Sequence, residues 1–587
     1  MLRYSTVLGG AALAGSLLAA CGEDDADEPA PTATASGSGS DTEDPTETTD
    51  DAGDEPTEAD EVEDDATEGD ASEDDTEETP ADEGSTGEGV YGGIFKAAVA
   101  APPPTLDVST STSAASREAA LFVLESLVTY GEDYTLVPLL AESWETSDDG
   151  TQITFNLRQG VKFHNGKDMT SEDVIVSFDR FMEVTTRKAE FELVESYEAT
   201  DDYTVVFTLT QPTLTFFDAL AWPAAYPAIF PAEVIKGKAA GELANEDIIG
   251  TGPYKFVEWR PDQVFRVERF EDYVPVEGPV DGLGGGKVPY FDEIHLIPVS
   301  ETGSRIAGIE TGEYDFAAEP PTTDFSRLSE DPNLEFLIVE DVRWQVLSFN
   351  HMNELSSNLK FRQAIQAALD MDAIGMAITS GRQDFYRAQG SLWFQSSPWY
   401  NEEGFHLYNQ KDIEKAKQLL EEAGYDGQEV IMVTNRNYDH HYKTVVPAAE
   451  QLESELGMNI TVDIVDWPAQ QERWKEKDTW HMSCTGYLSQ ANFAPDAFAG
   501  FYTSGTEGSA GGGYANPEMD EWFEKAKLAT TLEERKEAYA NVQRIWHEDV
   551  AAIKTVDLFG SSVIRSNIKG YRAWYNATRF WSCWRED

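Results

Sequence analysis

The sequence predicts an α/β fold for most of the 587-residue chain, and three observations support this prediction. Segments whose apolar residues alternate, as in half-buried strands, interleave with segments of helical period. Turn dipeptides such as Asp149-Gly150 and Asn165-Gly166 separate them. With 41% hydrophobic and 11% aromatic residues, the chain has enough apolar surface for large cores, and its length suits two or three domains.

Residues 1–21 have the pattern of a bacterial lipoprotein signal. Arg3 precedes an apolar run from Val7 to Ala20, which is too short to span a bilayer but suits a secretory signal. The run ends in Leu-Ala-Ala-Cys, which resembles a lipobox. We therefore predict a lipidated Cys21 that anchors the protein to the cell membrane on its extracytoplasmic side. An ordinary signal peptide with an incidental cysteine is the alternative.

Residues 22–88 are predicted to form a disordered acidic tether. They contain 29 acidic residues, no Lys or Arg, no aromatic residue, and Val62 as the one large aliphatic side chain. Such a segment buries too little apolar surface to offset its chain entropy, and its like charges extend it.

The rest of the chain is acidic in its own right. From Val90 to Asp587 there are 80 acidic and 41 basic residues, a net charge of about −39. Because such a surface repels a phosphate backbone, we predict no nucleic-acid partner. The negative charge is compatible with solubility alone, with a saline habitat or with a cationic ligand.

The segment from Glu142 to Val174 shows several consistent signals of a packed unit. Ile153, Phe155 and Leu157 alternate with polar residues and predict a strand. A second short strand is predicted at Val161 and Phe163. Thr170, with Asp173 three residues later, resembles a capping box and predicts that a helix begins there.

Strands and helices are predicted to alternate on both sides of that unit. The segment GGIFKAAV predicts a first strand, and AASREAALFVLESLV predicts a helix after it. Later strands are predicted in TVVFTLTQP, VFRVERF, FDEIHLIPV, NITVDIVDW and KTVDLFGSSVIRS. Later helices are predicted in SSNLKFRQAIQAALDMDAI, KDIEKAKQLLEEAGYD, VVPAAEQLESELG and LEERKEAYANVQRIWHEDVAAI.

Motifs for catalysis or metal binding are missing from the sequence. The segment DGLGGGK, residues 281–287, lacks the first glycine and the final Ser or Thr of a phosphate loop, and neither HExxH nor GxSxG occurs. The adjacent His440 and His441 are interpreted as part of a polar loop. Cys484 and Cys583 are expected to be unpaired thiols on different domains. We therefore predict no enzyme activity, no cofactor and no metal site.

Four blocks of the sequence resemble the extracellular solute-binding proteins of the peptide, opine and nickel class, family 5. The first is Leu136 to Arg180, with LAESWE, GVKFHNG and SEDV; the second is Gly250 to Val274, which begins GTGPY. The third is LSFNHMNELSSNLKFRQAIQAALDMDAI, and the fourth comprises AKQLLEEAGYDG and the helix near the C-terminus. Together these blocks are distributed over almost all of residues 92–587.

This resemblance implies a two-lobed periplasmic-binding-protein-like clamshell of α/β class, with an extra subdomain on lobe one. Lobe one is assigned to residues 89–343, including the extra subdomain at about 134–240. Lobe two is assigned to 344–554, and residues 555–587 return to lobe one. The chain is expected to cross between the lobes near 341–347 and near 554–558.

The resemblance also implies a ligand site in the cleft between the lobes. The family's best-marked ligand loop corresponds here to residues 486–496, where Gln490 stands near the Asp that meets a peptide amine. A neutral Gln cannot make the charge-assisted bond that an ammonium prefers. The candidate ligand-binding residues are Trp344, Trp393, Tyr487, Gln490, Asn492, Phe493 and Asp496.

The expected function is that of a substrate-binding lipoprotein of an ABC importer. It would capture an oligopeptide-like solute and deliver it, as a monomer, to membrane permease subunits. An oligosaccharide, an opine or a metal chelate is the alternative ligand, and the oligosaccharide leads among these because of Gln490 and the tryptophan content. A ligand sensor without transport is the alternative of a different class.

Overall fold

The protein is described by a computed structural model that covers residues 89–488, 495–575, 577 and 579–586. The predicted signal, Cys21 and the predicted tether lie outside these residues. Within them, none of the helices combines the length and the apolar character that crossing a bilayer requires.

The strands of the described residues are numbered in chain order. They are β1 Ile94–Val99, β2 Val128–Tyr130, β3 Leu136–Pro138, β4 Ala141–Thr146, β5 Gln152–Leu157, β6 Val194–Asp201, β7 Thr204–Leu209, β8 Tyr254–Arg260, β9 Val264–Arg269, β10 Val280–Asp281, β11 Gly284–Gly285, β12 Glu293–Pro298, β13 Phe316–Ala318, β14 Leu334–Phe349, β15 Tyr386–Arg387, β16 Glu429–Thr434, β17 Asn459–Ile464, β18 Met482–Leu488, β19 Ala552–Arg565, β20 Ile568–Lys569 and β21 Trp584–Arg585.

The α-helices are numbered in the same way. They are α1 Ala114–Ala120, α2 Ser171–Val184, α3 Thr215–Ala221, α4 Ala232–Ile235, α5 Thr302–Thr311, α6 Phe325–Ser329, α7 Leu359–Ala368, α8 Met371–Ile378, α9 Ile413–Glu422, α10 Asp439–Leu456, α11 Trp467–Arg473, α12 Ala499–Tyr502, α13 Pro517–Lys527 and α14 Leu532–Asp549.

The largest sheet in the described part of the chain has eleven strands. Its order is β17-β16-β18-β14-β19-β13-β1-β12-β9-β8, with β15 also paired to β19. β1 runs parallel to β12 and β13, whereas β14 and β19 run antiparallel to each other. The mixed sheet with helices between its strands is the α/β class that the sequence predicts.

β14 and β19 are the two strands that join the halves of this sheet. Residues 334–339 of β14 pair with 560–565 of β19, and residues 343–348 pair with 552–558. The register shifts between Val339 and Arg343, where Asp341 has a φ of 58°. We call the described residues of 89–339 and 560–586 the first lobe, and those of 343–558 the second lobe. The domain boundaries given from sequence remain a prediction.

Each lobe has its own hydrophobic core. The main core of the first lobe contains residues from Phe95 to Phe316 and from Ile564 to Cys583. Two cores in the second lobe contain residues from Trp344 to Leu558. Cys484 and Cys583 lie in different lobes as buried free thiols, and burial raises the pKa of Cys484 to about 12.

A four-stranded sheet of order β4-β5-β7-β6 forms a separate layer in the first lobe. Ile153, Phe155 and Leu157 of β5 are buried as the alternation predicts. α2 begins after Thr170 with the predicted capping box, because the Asp173 carboxylate accepts a hydrogen bond from Thr170 N at 2.9 Å.

Two local predictions for the first lobe were wrong. α1 ends at Ala120, whereas the sequence predicted helix to residue 128. The Phe122 and Val123 carbonyls accept hydrogen bonds from Tyr254 N and Gly252 N, both at 3.0 Å, instead of continuing the helix. The strand predicted at Val161 and Phe163 is reduced to an isolated bridge between Lys162 and Asp168.

We predict that Asp173→Ala lowers the free energy of unfolding by about 2–4 kcal/mol. The Asp173 side chain is buried and also accepts a hydrogen bond from Ala232 N at 2.8 Å, so its removal leaves two backbone donors without an acceptor. Urea denaturation measures the change. Glu172→Ala, at an exposed position in the same turn, is the control and should cost less than about 0.5 kcal/mol. Equal losses in the two variants would contradict the assigned role of Asp173.

Candidate ligand-binding site

A cavity of about 170 Å³ lies in the first lobe beside both joining strands. It lies at the carboxyl ends of the parallel strands β1 and β13, where ligands of open α/β sheets commonly bind. Its lining residues are Val99, Ala100, Ala101, Ala114, Ala115, Glu118, Phe316, Ala318, Glu319, Val339, Ser561, Ser562, Tyr571, Trp574 and Ala577.

The polar part of the lining consists of two carboxylates and two hydroxyls. Glu118 is carried by α1, and its carboxylate lies 3.6 Å from the Arg117 guanidinium. Glu319 directly follows β13 and has a φ of 52°, which is uncommon for a residue with a side chain. Its backbone N–H donates to the Ser561 carbonyl at 3.1 Å, which ties this strained residue to β19.

The aromatic part of the lining connects the cavity to the second lobe. The rings of Phe316 and Tyr571 lie 5.6 Å apart, and Trp574 lies 5.3 Å from the ring of Tyr134. The Tyr134 hydroxyl is hydrogen-bonded to Ser396 of the second lobe. The Ser396 hydroxyl in turn donates to Asp341 at 2.5 Å, at the register shift in β14.

Arg535 forms a buried ionic bridge between the lobes. Its guanidinium lies 2.5 Å from the Asp218 carboxylate in the first lobe and 2.6 Å from the Asp496 carboxylate in the second. Arg535 is 2% exposed and lies over the ring of Trp399. Burial raises the pKa of Asp218, and Arg535 opposes that shift. Asp218 also accepts a hydrogen bond from Tyr130 at 2.9 Å.

Further contacts between the lobes surround this bridge. The Thr213 hydroxyl donates to the Lys527 carbonyl at 2.6 Å, and Leu214 N donates to the Ala529 carbonyl at 3.2 Å. Lys527 also pairs with Glu192 at 2.6 Å. These contacts hold the extra sheet of the first lobe against the end of α13.

Trp344, Trp393 and Tyr487 lie together in a core of the second lobe. Trp344 stacks on Phe498 at 5.2 Å, Tyr487 lies 4.9 Å from Trp344, and Trp393 meets the edge of Phe498 at 5.4 Å. Both indoles are fully buried, and their N–H groups have no hydrogen-bond partner among the described residues. Their packing is that of a core, so direct contact with a ligand stays a prediction.

Of the remaining predicted ligand residues, three lie outside the described part of the chain and one lies within it. Gln490, Asn492 and Phe493 lie outside the described residues. Asp496 is described, and its carboxylate is already paired with Arg535. Asp496 therefore has an internal partner, which it shares with Asp218 of the first lobe.

A buried ion pair supports the aromatic core at β19. Lys554 and Asp557 lie 2.7 Å apart, both without solvent exposure, and Lys554 lies under the ring of Trp344 at 5.4 Å. Burial raises the pKa of Asp557 to about 6, against the opposing effect of Lys554. Gln389 donates to the Asp557 carboxylate at 2.5 Å, which fixes its orientation.

Two segments that the sequence analysis compared with catalytic and metal-binding motifs have structural roles instead. Lys287 of the segment DGLGGGK is buried and pairs with Glu125 at 3.2 Å. His440 and His441 lie in α10 rather than in a loop, and burial lowers the pKa of both imidazoles. No group of three or more potential metal ligands occurs among the described residues.

The residues that line this cavity were not among the site residues predicted from the sequence. Glu118 and Glu319 are about 200 residues apart, and no short motif contains either of them. The available signal was the parallel pairing of β1 and β13, because residues that follow parallel strands meet at one edge of a sheet. That pairing was not predicted, so the two carboxylates were not associated.

Comparisons with known proteins agree with this architecture. The model of the bacterial extracellular solute-binding proteins, family 5 (middle region), matches residues 135–509. Heme-binding protein A of Haemophilus influenzae is 29% identical over 512 residues, covering 81% of this chain and 88% of that protein. The oligopeptide-binding protein AppA of Bacillus subtilis is 25% identical over 506 residues, covering 81% and 90%.

A solved structure shows the same fold. The ABC transporter-associated periplasmic binding protein DppA from Helicobacter pylori, in complex with the peptide STSA, has a TM-score of 0.64 at 23% identity, covering 85% of this chain and 99% of that chain. The family consists of substrate-binding proteins rather than enzymes. The chain belongs to the bacterial extracellular solute-binding proteins, family 5, and has their two-lobed periplasmic-binding-protein fold.

Proposed function

We propose that the protein is the substrate-binding component of an ABC importer and captures an oligopeptide-like solute between its lobes. The observation that carries the proposal is the 170 Å³ cavity at the carboxyl ends of β1 and β13, next to both strands that join the lobes. The relatives named for oligopeptide binding and the neighbour that holds a peptide support the choice of ligand class.

Capture depends on a change in the angle between the lobes. β14 and β19 are the continuous strands at the joint, and the register shift after Val339 is a point where the backbone can bend. A ligand that contacts both lobes favours the closed form because it binds that form more tightly. The closed form would then dock on the permease subunits, without a chemical change in the ligand.

The remaining parts of the proposal concern location and ligand contacts. A lipid on Cys21 would anchor the protein outside the cytoplasmic membrane, and residues 22–88 would act as a spacer. The protein would work as a monomer. Trp344, Trp393, Tyr487, Gln490, Asn492 and Phe493 would supply the ligand contacts of the second lobe.

We predict that a tripeptide such as Ala-Lys-Ala binds in a 1:1 ratio and raises the melting temperature. Binding to the native state alone stabilises it by about 2.7 kcal/mol when the free ligand is at 100 times its Kd. Calorimetry and thermal unfolding against peptides, oligosaccharides and chelated metals measure both quantities. Binding by oligosaccharides and not by peptides would contradict the proposed ligand class.

We predict that Asp218→Asn weakens peptide binding about tenfold, which corresponds to about 1.4 kcal/mol. The change removes the first-lobe charge from the Arg535 bridge and keeps the Arg535–Asp496 pair, so the closed form becomes less populated. Small-angle scattering should show a larger radius of gyration, and calorimetry gives the change in Kd.

Glu518→Gln is the matched control for this variant. Glu518 pairs with Arg544 at 2.6 Å within the second lobe, so its loss removes an ion pair without touching the joint between the lobes. The control should leave the radius and the Kd unchanged. The bridge has no role in closure if Asp218→Asn behaves like the control.

A further inference from the structure

We infer that the cavity in the first lobe binds an apolar side chain of the solute, of the size of a phenylalanine or leucine side chain. The inference rests on the proposed function and narrows its ligand class to peptide-like solutes that carry such a side chain. It depends on the walls of the cavity, on the internal partners of its polar groups, on its volume and on its place at the joint between the lobes.

Most of the lining of the cavity is apolar. Six alanines leave the space open, and larger apolar side chains surround it. Val99 of β1, Phe316 of β13 and Val339 of β14 are buried, whereas Tyr571 and Trp574 are half-buried, so part of their surface remains accessible. Walls of this kind stabilise an apolar ligand group by removing its surface from water.

The hydroxyl and indole groups of the lining have partners within the protein. The Ser561 hydroxyl donates to the Pro320 carbonyl at 2.9 Å, and the Tyr571 hydroxyl is hydrogen-bonded to Ser562. The indole N–H of Trp574 donates to a backbone carbonyl at 3.0 Å. Because these groups are engaged within the protein, a polar ligand group finds few partners here, and its burial without a partner is costly.

The two carboxylates of the lining do not require a cation from the ligand. The half-buried Glu118 has the buried guanidinium of Arg117 at 3.6 Å. Glu319 is exposed to solvent, so its carboxylate is hydrated. Both charges are therefore compensated without a ligand, and the space between the alanines and the rings is left to an apolar group.

The volume of the cavity suits one side chain of moderate size. An engineered cavity of about 150 Å³ in another protein holds benzene. The cavity of about 170 Å³ described here therefore has room for a phenyl ring or a branched aliphatic group. The alanines are essential to this capacity, because a larger side chain at any of their positions would occupy part of the volume.

The position of the cavity connects its occupation to the joint between the lobes. Val339 is the last residue of β14 before the register shift, and Ser561 and Ser562 lie on the part of β19 that pairs with it. A side chain in the cavity thus contacts both joining strands next to the point where their pairing changes. Binding of an apolar side chain therefore favours the arrangement of the two strands that forms the cavity.

Calorimetry with a series of tripeptides tests the inference. The probes are Ala-Ala-Ala, its three isomers with one phenylalanine, and its three isomers with one lysine. One phenylalanine isomer should bind at least tenfold more tightly than Ala-Ala-Ala, which corresponds to about 1.4 kcal/mol, because its ring leaves water on binding. Lysine at the same position should improve the Kd less than threefold.

Variants that fill the cavity assign this gain to the site. Ala115→Leu enlarges a side chain on α1, and Ala101→Leu enlarges one in the segment after β1. In each variant the tenfold advantage of phenylalanine should fall below threefold, and thermal unfolding shows that the variant is folded. Ala307→Leu, at an exposed position on α5 outside the cavity, is the control and should keep the full advantage.

Two kinds of failure are distinguishable in this experiment. The inference is overturned, with peptide binding still established, if no phenylalanine isomer binds more tightly than Ala-Ala-Ala. It is also overturned if lysine binds more tightly than phenylalanine at the same position, or if the advantage of phenylalanine persists in a folded filling variant. Absence of binding by every tripeptide would instead refute the proposed function, and the inference with it.

Discussion

The pairing of β14 with β19 is the constraint on which the rest of the structure depends. These two antiparallel strands are the members of the large sheet that continue through both lobes, and their register shift after Val339 divides the sheet into two halves. Each half has its own hydrophobic core, so each can move as a unit. The cavity is lined in part by residues of both joining strands, and the ionic bridge links the two lobes.

The polar groups at the joint follow from its position between two cores. Arg387 pairs with Asp341 at 3.1 Å and lies over Phe559, so one guanidinium contacts both joining strands. Arg535 connects the lobes directly through Asp218 and Asp496. A buried cation between two carboxylates is stable while both are in place, and it is costly when one is withdrawn. This makes the bridge sensitive to the angle between the lobes.

Most of the fold was predictable from the sequence, but the residues that line the cavity in the first lobe were not. The alternation at Ile153, Phe155 and Leu157 and the capping box at Thr170 are local signals, and the structure confirms both. The helix through Leu121 was mispredicted because backbone bonds from the distant GTGPY block end it. Glu118 and Glu319 line the same cavity at the ends of the paired strands β1 and β13, and this pairing leaves no local pattern in the sequence. The tryptophans were recognised by type, but their burial depends on the packing of Phe498 and Tyr487.

The central claim is that the protein binds one small solute between its lobes and releases it unchanged. Native mass spectrometry of the protein purified with its natural ligand, followed by denaturation and identification of the released molecule, tests this claim most directly. The account predicts one bound molecule per chain, recovered intact, with peptide bonds. Recovery of a chemically altered product, or of a sugar, would contradict it.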